Sequence, residues 1–564
     1  MASTLRRIHD PGFMQHYFHG VGLDLGADAT GLARCSREFP RVVRVVPWKG
    51  ELMAVPGVEH RSFDFVHASH CLQTVVNPAK ALGRWLDLLK TGGYLVLTVP
   101  DQDLADQTVQ PAETNDAPAR GFSVCKDPLP PGSVNLLELV RAYGSIAACE
   151  RIAVIRPEQA IEVVLRKRPA PTPAEMLGAA GRARNVEDFL QISQTTLRLF
   201  PYRFDVAHQV SVGMMRWNLF DEAETLWARM VTRLPEEWGP KLYQFLHVIS
   251  SGKINEGFRL RAAATDDWSW KRRTSAPPPE TFPRWTGQSL AGKTIAIWSE
   301  FGLGDEIFFL RFSRMLRKQA GARSVTVVCQ SPLVELFEAS GEADAVLDIR
   351  ASAAIPEHDY WVYPHDIPAW LPVELDALPA SVPYLRLPSG APPVTLPGRP
   401  QALKVGVAFK GAPTHENDGA RSLRSLSMLD SLFAHEEVEF FSLQKGRGAD
   451  EAADYARKRS NFHDIGATLE TMMDTARVIA ALDLVLTVDT SVAHVAGAMG
   501  KPTWLLVPEF ADWRWHYVRE DSPWYPTMKL FRHPPNGSWA EVLTRVNGHL
   551  LERVAAHAAP PTLE

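Results

Sequence analysis

Two short stretches carry residue types that could do chemistry together. The first is Gly302-Leu303-Gly304-Asp305-Glu306, which follows the apolar run TIAIWSE and opens a helix-like segment. Its glycines, Gly302 and Gly304, let a backbone turn tightly and approach a ligand, and Asp305 at the edge of a cleft could accept a proton from a hydroxyl. The same aspartate is suited to capping the helix. The second stretch is LTVDTSVAHVAGAMGKP, Leu486 to Pro502, where an apolar strand ends in Asp489 and a helix starts at about Thr490. N–H groups at such a helix start, with the hydroxyls of Thr490 and Ser491, make an anion site suited to a diphosphate. His494, one turn further on the same face, could bond a phosphate oxygen or serve the core, and Asp489 could tie down the turn.

Basic residues follow two other strands: Lys410 after KVGVAF and Lys445 after FFSLQ, with Arg421 on the loop before the next helix. Each could complement a leaving diphosphate or be a solvated surface group. Asp474 and Thr475 stand at a helix entry, where they could contact a nucleotide or cap the helix. DWRWHYVREDSPWYP, Asp512 to Pro526, gathers Trp513, Trp515, Trp524 and Tyr525 around Arg514. Aromatic faces suit sugar rings and bases, and they suit a packed surface loop equally. No Asp-x-Asp metal motif lies in a suitable loop, so no metal is assigned.

The elements that must position these residues alternate strand and helix from about 290 to 557, in two parallel α/β lobes, 290–395 and 402–557. The stretch from Leu371 to Pro400, with eight prolines in 30 residues, divides them. Ligands of such sheets bind outside the carboxyl ends of the strands. The proline-rich segments KRPAPTP (from Lys167) and SAPPPETFP (from Ser275) set off two earlier blocks. The block 174–272 is helical in pattern and repeats at 34 residues: LRLFP and VTRLP end at Pro201 and Pro235, and FDEAETLW and INEGFRLR begin at Phe220 and Ile254. That period is the signature of tetratricopeptide repeats, with an irregular helical bundle as the alternative. The block 1–168 reads as strand, glycine turn, helix and strand: GLDLGADATG, FDFVHAS, a helix from Pro78 to Leu89, a turn at Thr91-Gly92-Gly93, and YLVLTVP. The order predicts a parallel α/β sheet.

Composition bounds the rest. The chain has 564 residues, which suggests three or four domains, and its formal charge of -5 argues against a nucleic-acid binder driven by net positive charge. Apolar runs fall far short of a transmembrane span, and polar residues stand where a signal peptide would place its apolar core, so a cytoplasmic protein is expected. The five cysteines are odd in number, widely spaced and lack a CxxC pair, so they argue against a disulfide framework or zinc site and read as buried small apolar residues. Fourteen of the 16 tryptophans lie after residue 200, so any aromatic binding surface is expected in the later blocks.

The last block resembles the glycosyltransferase family that includes the ADP-heptose lipopolysaccharide heptosyltransferases, and most closely its members attached to tetratricopeptide repeats. FGLGDEIFFLRF (301–312), KVGVAFKGAPTHENDGARS (404–422), FSLQKG (441–446), VIAALDLVLTVDTSVAHVAGAMGKPTWLLVP (478–508), DWRW and DSPWYP carry the likeness. The resemblance implies a GT-B fold of two Rossmann-like lobes, a nucleotide-sugar donor held by the C-terminal lobe, and inverting, metal-independent transfer. It implies Asp305 as catalytic base and Asp489, Thr490, Ser491 and His494 as contacts to donor phosphates. Phe409 and Lys410 depart from the tryptophan and small residue of many relatives, which bears on the choice of donor.

The first block resembles class I S-adenosylmethionine-dependent methyltransferases over residues 22–101. It departs from them at Asp28 in the glycine loop, in RVVRVVPWKG, which offers no acid for the ribose, and at Gln73 and Thr74. A cofactor-free version of that fold is expected. The leading function is therefore a glycosyltransferase acting on a hydroxyl of a protein, flagellin for example, or of a surface glycan, with the repeats recruiting the acceptor. A methyltransferase with a C-terminal platform and a non-catalytic repeat scaffold are the alternatives.

Overall fold

A computed structural model describes residues 10–25, 32, 42–48, 62–104, 121–124, 133–265, 269–371, 373, 382–415, 417–535 and 537–558, without the side chains of 42–48 and of Pro157. The chain divides into two compact units, Met1–Pro240 and Lys241–Glu564.

The first unit holds a six-stranded sheet in the order β2-β1-β3-β4-β8-β7. Its strands are β1 (Gly20–Leu25), β2 (Val42–Trp48), β3 (Phe63–Ser69), β4 (Leu89–Pro100), β7 (Ala147–Ile155) and β8 (Ala160–Lys167); the two-residue strands β5 (Phe122–Ser123) and β6 (Val134–Asn135) pair separately. β1 to β4 run parallel, whereas β8 is antiparallel to β4 and β7 to β8. The expected turn at Thr91-Gly92-Gly93 is instead a bulge inside β4. Leu89 pairs with Phe63 but Tyr94 already with Phe65, and Gly92 takes φ 85°, which only glycine adopts without strain.

Helices cover both faces of this sheet. α1 (Pro11–Tyr17) places Met14 against Phe65, Tyr94 and Val96. α2 (Pro78–Leu88) has Asn77 as N-cap and proline at its first position, and buries Ala81, Leu82, Trp85, Leu86 and Leu88 along one stripe. α3 is Leu136–Arg141.

A helical stretch follows: α4 (Pro173–Gly181), α5 (Val186–Leu199), α6 (Phe204–Arg216), α7 (Phe220–Arg233), α8 (Trp238–Ser250) and α9 (Ile254–Ala264). Helix starts recur at a spacing of 34 residues, at 186, 220 and 254 and again at 204 and 238. The stretch is divided between the two units, whose boundary falls in the first turn of α8.

The second unit contains two all-parallel sheets. The smaller has the order β11-β10-β9-β12, from β9 (Thr294–Ile297), β10 (Ser324–Cys329), β11 (Ala345–Asp348) and β12 (Tyr360–Val362). The run EIFFLRFSRMLRKQ forms two consecutive helices, α10 (Leu303–Phe309) and α11 (Arg311–Lys318), and α12 is Val334–Ser340. The larger sheet runs β15-β14-β13-β16-β17-β18: β13 (Leu403–Ala408), β14 (Val438–Ser442), β15 (Phe462–Asp464), β16 (Leu484–Val488), β17 (Thr503–Val507) and β18 (Met528–Arg532). Counted within the lobe, this is the doubly wound order 3-2-1-4-5-6, in which the crossover direction reverses between β13 and β16. Associated helices are α13 (Ala449–Lys458), α14 (Met472–Ala480), α15 (Ser491–Ala498) and α16 (Trp539–Ala558). α16 buries Val542, Leu543, Val546 and Leu550 against the lobe core formed by Val405, Val407, Phe440, Leu484 and Leu486. No helix among the described residues is long and apolar enough to cross a membrane.

Candidate functional site

The doubly wound order predicts a ligand crevice beyond the carboxyl ends of β13 and β16, where neighbouring connections leave in opposite directions. A cleft of about 610 Å³ lies there, lined by Lys410 and Gly411 after β13, Lys445 after β14, and Asp489, Thr490 and Ser491 after β16. Asp305, Gly302 and Gly304 approach it from the smaller-sheet lobe, and Arg421, Thr475, His494, Asp512 and Arg514 complete the wall. Twelve of the fifteen residues singled out in the sequence thus line one cavity.

Asp305 is both cap and cleft residue. Its Oδ2 accepts the Gly302 N–H at 3.1 Å across the first turn of α10, and its Oδ1 accepts Arg514 Nη2 at 2.6 Å. His365 Nε2 stands 3.6 Å from Oδ1. Burial works against the charge, but Arg514, His365 and the Gly302 N–H outweigh it and hold the carboxyl well below the usual carboxylate range. The group is ionised, as a base must be, yet its proton affinity is low while Arg514 holds it. Behind it, burial pushes the Glu306 carboxyl up to about 7, although Ser299 Oγ and the Gln330 N–H (2.9 Å) donate to it.

The second glycine of the loop has a steric purpose. A Cβ on Gly304 would lie 2.8 Å from His494 Cδ2, so the start of α10 reaches the start of α15 only without a side chain. His494 is buried and stacks on Trp515, with centroids 5.7 Å apart. Burial, reinforced by Arg514, pushes its imidazole down to about 3, so the ring is neutral. Its Nδ1 meets the Tyr525 hydroxyl at 2.9 Å and its Nε2 lies 3.9 Å from Asp489 Oδ1. Burial, with Asp512 beside it, pushes the Asp489 carboxyl up to about 6.

The cleft has the makings of an anion site. Thr490 is the N-cap of α15 and no side chain caps that helix, so its first N–H groups are presented to the cleft. Arg514 binds Asp305 and Asp512 (2.9 Å), and Arg421 Nε stands 4.0 Å from Asp418 Oδ1. Both arginines line the cleft, so its wall carries cationic groups suited to an anionic ligand.

The lysines are placed differently from the expectation. Lys410 lines the cleft but its ammonium pairs with Glu451, and the Lys445 ammonium donates to the Leu469 carbonyl. Three expected contacts do not line the cavity at all. Asp474 is the N3 acid of the capping box that opens α14, whose N-cap is Thr471, and it accepts the N–H groups of Thr471 (2.9 Å) and Glu470 (3.1 Å). Trp513 packs edge-on against Phe258 and Phe308, and Trp515 is fully buried on His494, so neither presents a face for a sugar.

Known proteins give the following likenesses. Residues 11–128 match the family model described as a methyltransferase domain. Protein FlbA of Caulobacter vibrioides is 26% identical over an alignment covering 47% of each chain. The chain thus spans about half the length of that curated relative. E. coli ADP-heptose lps heptosyltransferase II aligns at 13% identity and TM-score 0.33, covering 47% of this chain and 100% of that one. The glycosyl transferase family 9 protein of Veillonella parvula aligns at 12% and 0.34, covering 48% and 99%.

In the methyltransferase-type unit, the glycine loop residues 26–31, Asp28 among them, lie outside the described residues, as do Arg41, Lys49 and Gly50 at the ends of RVVRVVPWKG. Asp24 at the end of β1 has both oxygens engaged, by His67 Nδ1 at 2.7 Å and the Leu32 N–H at 2.8 Å. Gln73 Nε2 donates to the His70 carbonyl and Thr74 Oγ1 to that of Cys71, so both hold a local turn.

Sequence reasoning missed several residues of the cleft unit. Gln444 stitches two cleft loops: its Oε1 accepts the N–H groups of Phe409 and Lys410, both at 3.0 Å, and its Nε2 donates to the carbonyls of Lys410, Lys445 and Arg447. Its place directly before Lys445 was the available signal. His365 sits after β12, at the switch point of the smaller sheet. Its Nδ1 bonds Glu300 at 2.9 Å, and Glu300 also accepts from Arg273 and Arg261. Phe301, immediately before the glycine turn, is held at φ 60°, a strained setting for an aromatic residue, where its N–H donates to the Arg273 carbonyl.

Proposed function

We propose that the second unit is an inverting, metal-independent glycosyltransferase that moves a sugar from a nucleotide-sugar donor to a hydroxyl of a protein or glycan acceptor. The observation that carries this reading is one cavity with an ionised aspartate on one wall and a helix N-terminus with two arginines on the other. The Asp305 carboxylate and the start of α15, which no side chain caps, line the same space together with Arg421 and Arg514. The GT-B description of the paired sheets and the tetratricopeptide reading of the 34-residue helix recurrence belong to this proposal.

In the proposed reaction the acceptor oxygen bonds to the anomeric carbon as the carbon–oxygen bond to the diphosphate breaks, and the acceptor proton passes to Asp305. The leaving diphosphate takes up negative charge beside Arg421, Arg514, His494 and the α15 N-terminus, with Thr490 and Ser491 hydroxyls as further donors. Lys410 and Lys445 join them once released from Glu451 and Leu469. A bound diphosphate also competes with Asp305 for Arg514, which raises the proton affinity of the base when the donor is in place. Positioned charges supply the stabilisation, so the scheme needs no metal.

The methyltransferase-domain match implies S-adenosylmethionine for the first unit. The Asp24 carboxylate is satisfied within the protein rather than offered to a ligand, and no methyl-transfer step enters the proposal. The acceptor, whether a protein such as flagellin or a surface glycan, would be recruited through the helical stretch.

Calorimetry of the full chain against UDP, GDP, ADP, CMP, dTDP and S-adenosylhomocysteine tests the reading, since a ligand selective for the folded state also raises its melting temperature. Binding of one nucleoside diphosphate, lost on substitution of Thr490 and Arg421, is expected. Failure of all five nucleotides to bind would overturn it.

A further inference from the structure

Behind His494, three buried residues from distant parts of the second unit form a single hydrogen-bonded file. Arg311 on α11 directs Nη2 to the Tyr384 hydroxyl at 3.0 Å, Tyr384 meets the Tyr525 hydroxyl at 3.3 Å, and Tyr525 meets His494 Nδ1 at 2.9 Å. Tyr384 and Tyr525 are at most 1% exposed and Arg311 is 5% exposed. The arginine is fixed at its other donors, Nε to the Phe308 carbonyl (3.0 Å) and Nη1 to that of Trp524 (2.9 Å), and it lies over the rings of Tyr384 and Tyr525, 4.8 Å from each centroid.

The direction of the file follows from its first member. An arginine can only donate, so the Tyr384 oxygen is an acceptor there and its single proton is available to Tyr525. Tyr525 then has its own proton for His494 Nδ1. The opposite direction would place two donors on Tyr384 and leave its proton without an acceptor in a dry site, which is costly. A neutral imidazole that accepts at Nδ1 carries its hydrogen on Nε2, the nitrogen on the Gly304 and Asp489 side, where His494 lines the cleft.

We infer that the Arg311–Tyr384–Tyr525 file is a positioning device that locks His494 in the Nε2–H tautomer, so that this ring enters the cleft as a hydrogen-bond donor to a phosphate oxygen. The donor role deepens the glycosyltransferase reading and rests on it, whereas the tautomer itself does not. The file fixes a hydrogen that would otherwise be shared between two nitrogens, and it makes the cleft wall selective for acceptor-only ligands such as phosphate oxygens. Tyr525 and Tyr384 act through His494 and touch no ligand.

Two measurements on the full chain test this separately. In protein labelled with 15N at histidine, the His494 signals are those lost in His494→Gln. Wild type is expected to show a bare Nδ1 and a protonated Nε2, and Tyr525→Phe a mixture or the reverse, with Tyr384→Phe changing less because Tyr525 keeps its proton for His494. A protonated Nδ1 in wild type, or an unchanged pattern in Tyr525→Phe, would overturn the inference. In calorimetry with the nucleoside diphosphate that binds wild type, Tyr525→Phe should weaken affinity about tenfold, but should cost nothing further in the His494→Gln background, where the imidazole is absent. Equal losses in both backgrounds would mean a packing effect and would sink the donor role. If no nucleoside diphosphate binds wild type, the glycosyltransferase reading and with it the donor role fail, while the tautomer assignment still stands or falls on the 15N spectra.

Discussion

Each unit of the chain places an aspartate and a histidine near the carboxyl ends, or crest, of parallel strands, and the two pairs are bonded in opposite ways. In the first unit Asp24 and His67, paired in register on β1 and β3, bond to each other at 2.7 Å and are only 2% and 1% exposed. In the second, Asp489 and His494 stand 3.9 Å apart, and His494 is held by a tyrosine hydroxyl instead of by the acid. A carboxylate that satisfies a neighbouring histidine closes a crest. Separate partners for the two residues keep a crest open, with a carboxyl and a ring nitrogen both presented to a ligand. The same two residue types near strand ends are therefore closed on each other in one unit and left with separate neighbours beside a cleft in the other.

The sharpest break would come from Asp305, the proposed base, which faces the second crest from the smaller-sheet lobe. Asp305→Ala should lower sugar transfer by about 10³-fold, the size of a general-base contribution, while the affinity for the matching nucleoside diphosphate changes by no more than a few-fold. Single-turnover transfer and calorimetry on the same preparation separate the two. Full activity in the variant would remove the base assignment and leave the second crest a binding site alone.

The closed crest should answer to stability and not to ligand. Asp24→Asn removes the charge from a carboxylate that accepts two buried hydrogen bonds, and should destabilise the first unit by about 2 kcal/mol, read by denaturant unfolding. Nucleoside diphosphate affinity should be untouched. A loss of that affinity would show that the two crests are not independent.

A smaller effect is expected where the second crest is tightest. Gly304→Ala introduces a methyl group 2.8 Å from His494 Cδ2, and relieving that overlap should cost about 1–2 kcal/mol of stability and shift His494 in the cleft. Thermal melting reports the first and diphosphate affinity the second. An alanine tolerated on both counts would mean that the glycine serves only the turn.

How far this contrast was legible in the sequence depends on the range over which each residue finds its partner. Strand ends and helix starts could be read directly: Asp489 follows β16 and Thr490 takes the N-cap position of α15 because an apolar run meets a cluster of small polar residues. Asp474 could not be resolved, since a cap and a ligand contact have the same spacing, and only the N–H groups of Glu470 and Thr471 decide between them. The tryptophans misled because an aromatic in a loop carries no mark of which face is covered. β12 and β15, at three residues each, are too short for an apolar run to mark them. The Arg311, Tyr384 and Tyr525 file joins positions up to 214 residues apart, from 311 to 525, which no local period records.

The smallest effect separates the two aspartates by sign. Burial and the neighbouring Asp512 raise the folded-state Asp489 carboxyl to about 6, so the folded chain binds this proton more tightly than the unfolded one. Its contribution to stability is complete below the ordinary aspartate range and is lost as pH rises through about 6. A diphosphate should follow the same course, binding more weakly above that pH as Asp489 acquires a charge facing the anion. Asp489→Asn removes that charge at every pH. It should therefore raise diphosphate affinity about fivefold at neutral pH, the size of a roughly 1 kcal/mol repulsion at a partly solvated cleft, and flatten the pH dependence near 6. At the closed crest the matching substitution, Asp24→Asn, is destabilising, because its carboxylate is an acceptor with two donors rather than a charge beside another acid. An Asp489→Asn chain that binds diphosphate more weakly at neutral pH would show that this carboxylate too is an acceptor in the working site, and the contrast between the two crests would then rest on Asp305 alone.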